Sequence, residues 1–402
     1  MKFLNTIKNI FPSYLKLPVI VILLLQFISF FTFFMFVPFI STYFNQNVGF
    51  SLGFVGFILA IRILSQQGLM IVGGALADRL GYKKIVVIGF FFRGIGFASM
   101  GLTTNGFLVI IAAILSGLGG ALFSPALKAN LTSLTPEGKH KEIFSLMNII
   151  ENAGTVLGPL AGLYFSIDDF KHLSVLSGLL FLILCIVAIF LPKVSKPLNT
   201  KTWIQEFAEI IKDKSFVGLT VSLIPFHFLY QQLYLTLPII STNVTGSSGW
   251  IFTFVTLIII IFQWPVFLMI KDRTIHSLFF FSYVTILIFI VPITFGNNIA
   301  TLLLVLTGIA IGSITLLPLF QSYIAHNSPK ESLAAYFGFS NLAMAIGGSL
   351  GNLVGGVIYD YFLKNGQPEK YWIVVSFLSL LPLFILYKKN KTKKTLKPKE
   401  EW

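Results

Sequence analysis

The strongest constraint on this chain is an internal repeat. Landmarks in its first half recur about 193 residues further on. Pro125, followed by Thr135-Pro136-Glu137, is echoed by Pro318, followed by Ser328-Pro329-Lys330. Gly154, Gly158 and Gly162 are echoed by Gly347, Gly351 and Gly355, and Asp78-Arg79 by Asp272-Arg273. Between these landmarks the chain is almost continuously apolar. A duplicated array of long apolar segments implies two parallel membrane-embedded halves. The expected fold is an all-α integral membrane protein with about twelve transmembrane helices in two pseudo-symmetric six-helix bundles.

Apolar spans are read at 17–44, 51–77, 84–103, 106–130, 142–165, 172–192, 215–243, 248–270, 277–295, 299–325, 331–362 and 371–387. Each is long enough to cross about 30 Å of hydrocarbon as a helix. The expected organisation is a first bundle over 1–192, a linker over 193–214, a second bundle over 215–388 and a basic tail over 389–402. The run from Pro18 reads as the first span rather than a cleaved leader. Within the linker, Trp203, Phe207, Ile210 and Ile211 have helical spacing, which predicts either a short helix on the inner membrane face or a solvated connection.

Charged residues make up only 11% of the chain, against about 25% in soluble domains. The net charge of +14 does not point to nucleic acid, because of where the charges sit. Only Lys171, Lys364 and Lys370 fall in outer loops, and only Arg62, Arg93 and Lys128 fall within spans. All other Lys and Arg flank the spans on the side of the N-terminus. This bias predicts a multi-pass protein of a bacterial cytoplasmic membrane with both termini inside. The lone Cys185 rules out an intrachain disulfide. No phosphate-binding loop is present and the five histidines are scattered, so neither an enzyme, nor a cofactor, nor a resident metal is expected. The expected partners are the lipid bilayer, protons and a small-molecule substrate, with the protein a monomer.

Two motifs are specific. The loop after the second span reads GGALADRLGYKK, from Gly73 to Lys84. Its Gly74, Asp78, Arg79, Gly81, Lys83 and Lys84 resemble the signature loop of the major facilitator superfamily, with Tyr82 at a variable position. Gly74 would let helices approach closely, Gly81 would let the chain turn, and Asp78 would pair with a cation or sit at a helix end. The resemblance implies a cytoplasmic conformational latch. In the fifth span, Gly154, Gly158, Pro159 and Gly162 resemble the motif associated with exporters of that superfamily, with Ser145 where an upstream glycine belongs. A glycine every fourth residue also makes a groove for any neighbouring helix. The strings RILSQQGLMIVGGALADRLG, LSGLGGALFSP and SLGNLVGGVIYD are similar to the multidrug-resistance exporters of the superfamily, a group that includes exporters of staphylopine-type metallophores. The superfamily often has an arginine in the fourth span, where this chain has Ala113.

Ionisable residues at the bilayer midplane are costly and are rarely idle. Arg62, Arg93 and Glu151 each stand about nine residues into a span, hence ~13 Å deep. Glu151 is the only carboxylate there, since Asp78, Asp272 and Asp360 are at span ends. It can serve as the proton-coupling group, or it can form a structural pair with Arg62 or Arg93. Asn148, Asn152 and Thr155 share its helical face. Arg62, one turn from Gln66, is the candidate substrate-binding cation, whereas Arg93 suits a structural role and Lys128 can snorkel to the inner surface. His227, Tyr230, Gln231 and Tyr234 recur at helical spacing on the seventh span, either facing a central cavity or forming a satisfied interhelical set. Gln26, Gln263, Gln321 and Asn341 are weaker cavity candidates.

The expectation is a proton-coupled exporter of a carboxylate-bearing anionic or zwitterionic molecule, such as an amino-acid-derived metallophore. The competing readings are a broad-specificity multidrug antiporter and a lipid or lysolipid flippase.

Overall fold

A computed structural model describes residues 15–136, 139–165, 169–193, 203–270, 275–328 and 333–390. The degraded second motif at Lys271, Asp272 and Arg273 lies outside the described residues, as do Glu137, Pro329 and Lys330, most of the linker and the basic tail beyond 390.

The first half comprises α1 (Leu17–Thr42), α2 (Leu52–Ile63), α3 (Met70–Leu80), α4 (Tyr82–Leu102), α5 (Gly106–Leu134), α6 (His140–Gly162) and α7 (Phe170–Ala188). A short α8 (Trp203–Lys212) leads into the second half: α9 (Lys214–Ser222), α10 (Ile224–Tyr230), α11 (Thr236–Thr245), α12 (Trp250–Ile270), α13 (Ile275–Ile290), α14 (Ile299–Asn327), α15 (Leu333–Lys364) and α16 (Tyr371–Asn390). No strand occurs among the described residues. Seven helices are long and apolar enough to cross a membrane, and nine spans result if two bent pairs each count as one. One such pair is the segment Lys214–Thr245 with Trp250–Val266, which bends by 110° at the break, so each arm reads as its own span. The helices α6 and α16 are also long enough to cross, at 23 and 20 residues. Glu142, Asn148, Glu151 and Asn152 make α6 the least apolar of the long helices. With these the count reaches the expected twelve.

Two spans expected to be continuous are broken. The second changes to a π-helical turn at Leu64–Gly68 and bends by 42°. The turn carries the polar run Ser65-Gln66-Gln67-Gly68. The seventh breaks at a 3₁₀ turn, Gln231–Leu233, between α10 and α11. Gln232 mends that break: its Nε2 donates to the Phe228 and Gly351 carbonyls at 3.0 Å each. Its Oε1 accepts from Tyr371 Oη at 2.7 Å and from Thr236 Oγ1 at 3.1 Å. A broken helix survives inside a membrane protein only where the freed backbone groups find partners in this way.

The repeat is visible in the packing. The glycines of α6 lie on the backbone of α1: a Cβ at Gly154 would meet Phe31 N at 2.8 Å, and one at Gly158 would meet Met35 N at 2.9 Å. The echoing glycines of α15 lie on α10 in the same relation, with Gly351 against the Phe228 carbonyl at 2.5 Å and Gly347 against His227 Cβ at 3.0 Å. Helices α4, α5 and α7 pack together behind the first half, and α13, α14 and α16 behind the second. The halves meet along α2 with α15, α6 with α12, and α1 with α11.

One face of the bundle carries the start of α1 and helix α8; the opposite, far face carries the turns at 47–52 and 246–249. Polar ties between the halves gather toward the far face. Ser41 Oγ donates to the Leu235 carbonyl at 2.6 Å and Gln46 Nε2 to Asn243 Oδ1 at 3.2 Å. Asp360, in the last turns of α15, accepts from the backbone N–H groups of Leu52 and Gly53 at 3.0 and 2.6 Å. Toward the near face the tie is a 3.7 Å contact from Asn341 Nδ2 to Met70 Sδ. Of the two readings of the linker, the helical one forms, and the helix packs on the second half. Ile210 is fully buried and the Phe207 ring sits 5.2 Å from that of Phe339 on α15.

Candidate functional site

Three helices bring a polar cluster to the centre of the first half. Gln26 of α1 is buried in an apolar helix, Glu151 lies on the polar face of α6, and Lys128 lies on α5 past Pro125. Gln26 Nε2 donates to Glu151 Oε1 at 2.6 Å, and Lys128 Nζ stands 3.8 Å from the same oxygen. The Glu151 side chain is 15% exposed and that of Lys128 44%, so the pair is not sealed within protein. Thr155 Oγ1 donates back to the Glu151 carbonyl at 2.9 Å, within the helix. Gln26 Oε1 is buried without a partner.

This corrects two expectations. Glu151 pairs with neither Arg62 nor Arg93, and Lys128 is its cationic neighbour rather than an idle snorkelling group. Sequence spacing could not show this, because the three residues come from three helices. Asn148 is exposed and Asn152 half-buried on the same helix, beside Glu151.

A second cluster surrounds the π-helical turn. Arg62 closes α2 and Gln66 sits in the turn, so Arg62 Nη1 donates to Gln66 Oε1 at 3.3 Å. Arg93 Nη1 donates to the same oxygen at 3.5 Å and to the Ser116 carbonyl at 3.3 Å. Both arginines are buried, 4% and 3% exposed. The Phe33 ring lies 5.4 Å from the Arg62 guanidinium and 5.0 Å from that of Arg93. Phe97, Phe123 and Phe181 close around Arg93 at 5.2–5.4 Å.

The stripe on the seventh span divides. Gln231 Oε1 accepts from Asn352 Nδ2 at 3.3 Å, and His227 packs on Gly347, so both serve the contact with α15. Tyr230 and Tyr234 stay together, ring centroids 6.2 Å apart, and Tyr234 meets Phe252 at 5.0 Å. Tyr234 also comes near Arg62 across the halves. The break after Tyr230 causes this division, since spacing arguments assume an unbroken helix. The strongest polar residue of that span, Gln232, escaped the periodicity because it faces the neighbour helices rather than the stripe. Among the weaker candidates, Gln26 joins Glu151 and Asn341 meets Met70, whereas Gln263 and Gln321 are exposed.

In the signature loop, Gly81 turns the chain at φ +98°, as expected. The close approach belongs to Gly73, whose position a Cβ could not share with the Ala121 carbonyl; at Gly74 the nearest atom is Pro125 Cβ at 3.9 Å. Asp78 accepts from the Tyr82 hydroxyl at 3.1 Å, so the variable-position tyrosine is its partner here. Arg79 and Lys84 are exposed and Lys83 is half-buried. The glycines of the exporter motif fit α6 onto α1, and Pro159 lies inside α6.

The chain matches the family model described as Major Facilitator Superfamily over residues 22–352 and 245–402. It is 30% identical over 359 residues to the multidrug resistance protein MdtH of Salmonella arizonae, covering 87% of this chain and 88% of that one. It is 29% identical over 367 residues to MdtH of Proteus mirabilis, covering 89% and 90%. Among solved structures, a POT family transporter in complex with 5-aminolevulinic acid superposes with a TM-score of 0.79 at 16% identity, covering 93% of this chain and 96% of that one. The nucleoside transporter NupG superposes at 0.75 with 15% identity, covering 94% and 100%. With its repeated helices, its signature loop and these matches along most of its length, the chain is a multi-pass membrane protein that belongs to the Major Facilitator Superfamily.

Proposed function

We propose that this protein is a proton-driven efflux antiporter of broad specificity, exporting amphipathic small molecules across a bacterial cytoplasmic membrane. The multidrug resistance proteins among its relatives support the cargo class. They give no support to a metallophore cargo, and that expectation is set aside. The observation that carries the energy coupling is Glu151, the deep carboxylate of the described residues, held by Gln26 and Lys128 and partly exposed. As a carboxylate it accepts from the Gln26 amide; protonated, its O–H needs an acceptor, and a turned Gln26 amide would present Oε1. Gln26 can thus serve both states, while loss of the Glu151 charge frees Lys128.

The excess of Lys and Arg on the near face supports cytoplasmic termini. The boundaries 1–192, 193–214, 215–388 and 389–402 are kept as the working division, with a monomer as the transport unit. Substrate would meet Asn148, Asn152, Tyr230 and Tyr234 in the cavity between the halves. Alternating access follows from rocking of the halves, with a latch at each face. Asp360 on the N-terminus of α2 holds the far face shut, a carboxylate against the positive end of a helix. Asp78, bonded within its own half to Tyr82, is free to take the equivalent part at the near face when the halves rock.

Everted membrane vesicles from cells making the protein test the reading. A pH gradient is built, and a DNA-binding dye is added. Wild type is expected to dissipate the gradient on dye addition, and Glu151→Gln to leave it standing. Equal dissipation by that variant would remove Glu151 from the coupling mechanism.

A further inference from the structure

The function above leaves two buried charges unexplained. Arg62 and Arg93 are both more than nine-tenths buried, yet neither is within ion-pair distance of a carboxylate among the described residues. The one deep acid, Glu151, is taken up by Gln26 and Lys128. Both guanidinium groups lean on one neutral oxygen, Gln66 Oε1, over long hydrogen bonds of 3.3 and 3.5 Å. The Nε–H of each has no acceptor. Two like charges crowded on one neutral acceptor in a medium of low dielectric are a costly arrangement, and an anion between them would relieve it.

The two arginines are not equivalent. Arg93 is fixed from behind by the Ser116 carbonyl and by Phe33, Phe97, Phe123 and Phe181. It holds Gln66 and raises the local positive potential. Arg62 stands on α2, at the seam between halves, with Tyr234 of the second half nearby and Phe33 on one face. We infer that Arg62, backed by Gln66 and Arg93, is a subsite for an acidic group on the transported molecule. The cargo would then include organic carboxylates and sulfonates with an aromatic or apolar body. The fork of Arg62 takes the acid, and Phe33, Tyr230, Tyr234 and Phe252 offer ring faces to the rest. This rests on the export reading for the word cargo, but not for the binding itself.

The test uses three probes that differ only in their end group: pyrenebutyric acid, pyrenebutanol and a pyrenebutyl trimethylammonium salt. Binding to the purified full chain is read by fluorescence anisotropy, and export is read separately in cells. Wild type is expected to bind the acid about tenfold tighter than the alcohol. Arg62→Gln should erase that preference while binding the alcohol within about twofold of wild type. Arg62→Lys, which keeps the buried charge but not the fork, should fall between the two and serves if the Gln variant does not fold. An acid preference that survives in both variants, or is missing from wild type, overturns the inference. Acid preference without export of any probe would instead sink the export reading alone.

Discussion

At the residue scale the decisive pair is Gln26 and Glu151, 2.6 Å apart across two helices. If Gln26 services both protonation states, Gln26→Leu removes the partner of each. It is expected to slow pH-driven dye export about tenfold, equivalent to ~1.4 kcal/mol, with protein level in the membrane unchanged. Gln26→Leu vesicles that export at the wild-type rate would reduce Gln26 to a packing residue. The glycines offer a second residue-scale check. Gly73→Ala places a methyl on the Ala121 carbonyl and should destabilise by about 1–3 kcal/mol. Gly74→Ala meets only Pro125 Cβ at 3.9 Å and should leave the unfolding midpoint unmoved. Thermal unfolding of the purified variants distinguishes them, and the reverse order would contradict the packing of α3 on α5.

At the scale of elements, a carboxylate on one helix end caps the start of another across the seam. Asp360 supplies acceptors for two N–H groups that open helix α2, at a position where a negative charge also suits the helix dipole. Such a contact is worth ~0.5–2 kcal/mol, enough to move a balanced two-state equilibrium several-fold. Asp360→Ala is therefore expected to shift the protein toward an open far face. Spin labels on Thr104 and Asn297, in far-face turns of the two halves, should then show a larger population at long separation by pulsed electron resonance. An unchanged distance distribution would mean that Asp360 only finishes the helix. The broken helices belong to this scale too. The π-helical turn at Leu64–Gly68 carries Gln66, whose Oε1 accepts from both arginines.

At the scale of the whole molecule, the halves are tied toward the far face and the Glu151–Lys128 pair is partly open. The rocking proposed for the halves would have to break the ties of the far face. Cysteines at Gln46 and Asn243, whose side-chain ends now meet at 3.2 Å, should be bridged by a short bifunctional methanethiosulfonate when Cys185 is replaced by Ser. Export is expected to stop on cross-linking and return with reductant. Undiminished export by the fully cross-linked protein would argue against rocking about a closed far face.

The sequence alone determined the class of this protein and most of its scaffold. Apolar runs long enough to span a bilayer can fold in few other ways, and the limits read from them fall within a few residues of most observed helices. The duplicated glycines were legible because a helix surface without side chains has one main use, close contact, and α6 on α1 and α15 on α10 bear that out. Tertiary structure alone decided who partners whom. Lys128, Gln26 and Glu151 lie on three helices, and nothing in one-dimensional spacing distinguishes Lys128 from Arg62 or Arg93 as the neighbour of Glu151. The breaks at Leu64–Gly68 and Gln231–Leu233 were hidden for a related reason: a helix in a membrane protein yields only where tertiary neighbours such as Gln232, Gly351 and Tyr371 satisfy the freed backbone. Two arginines without a carboxylate partner among the described residues became visible only then, because a charge is unpaired by virtue of everything around it in space.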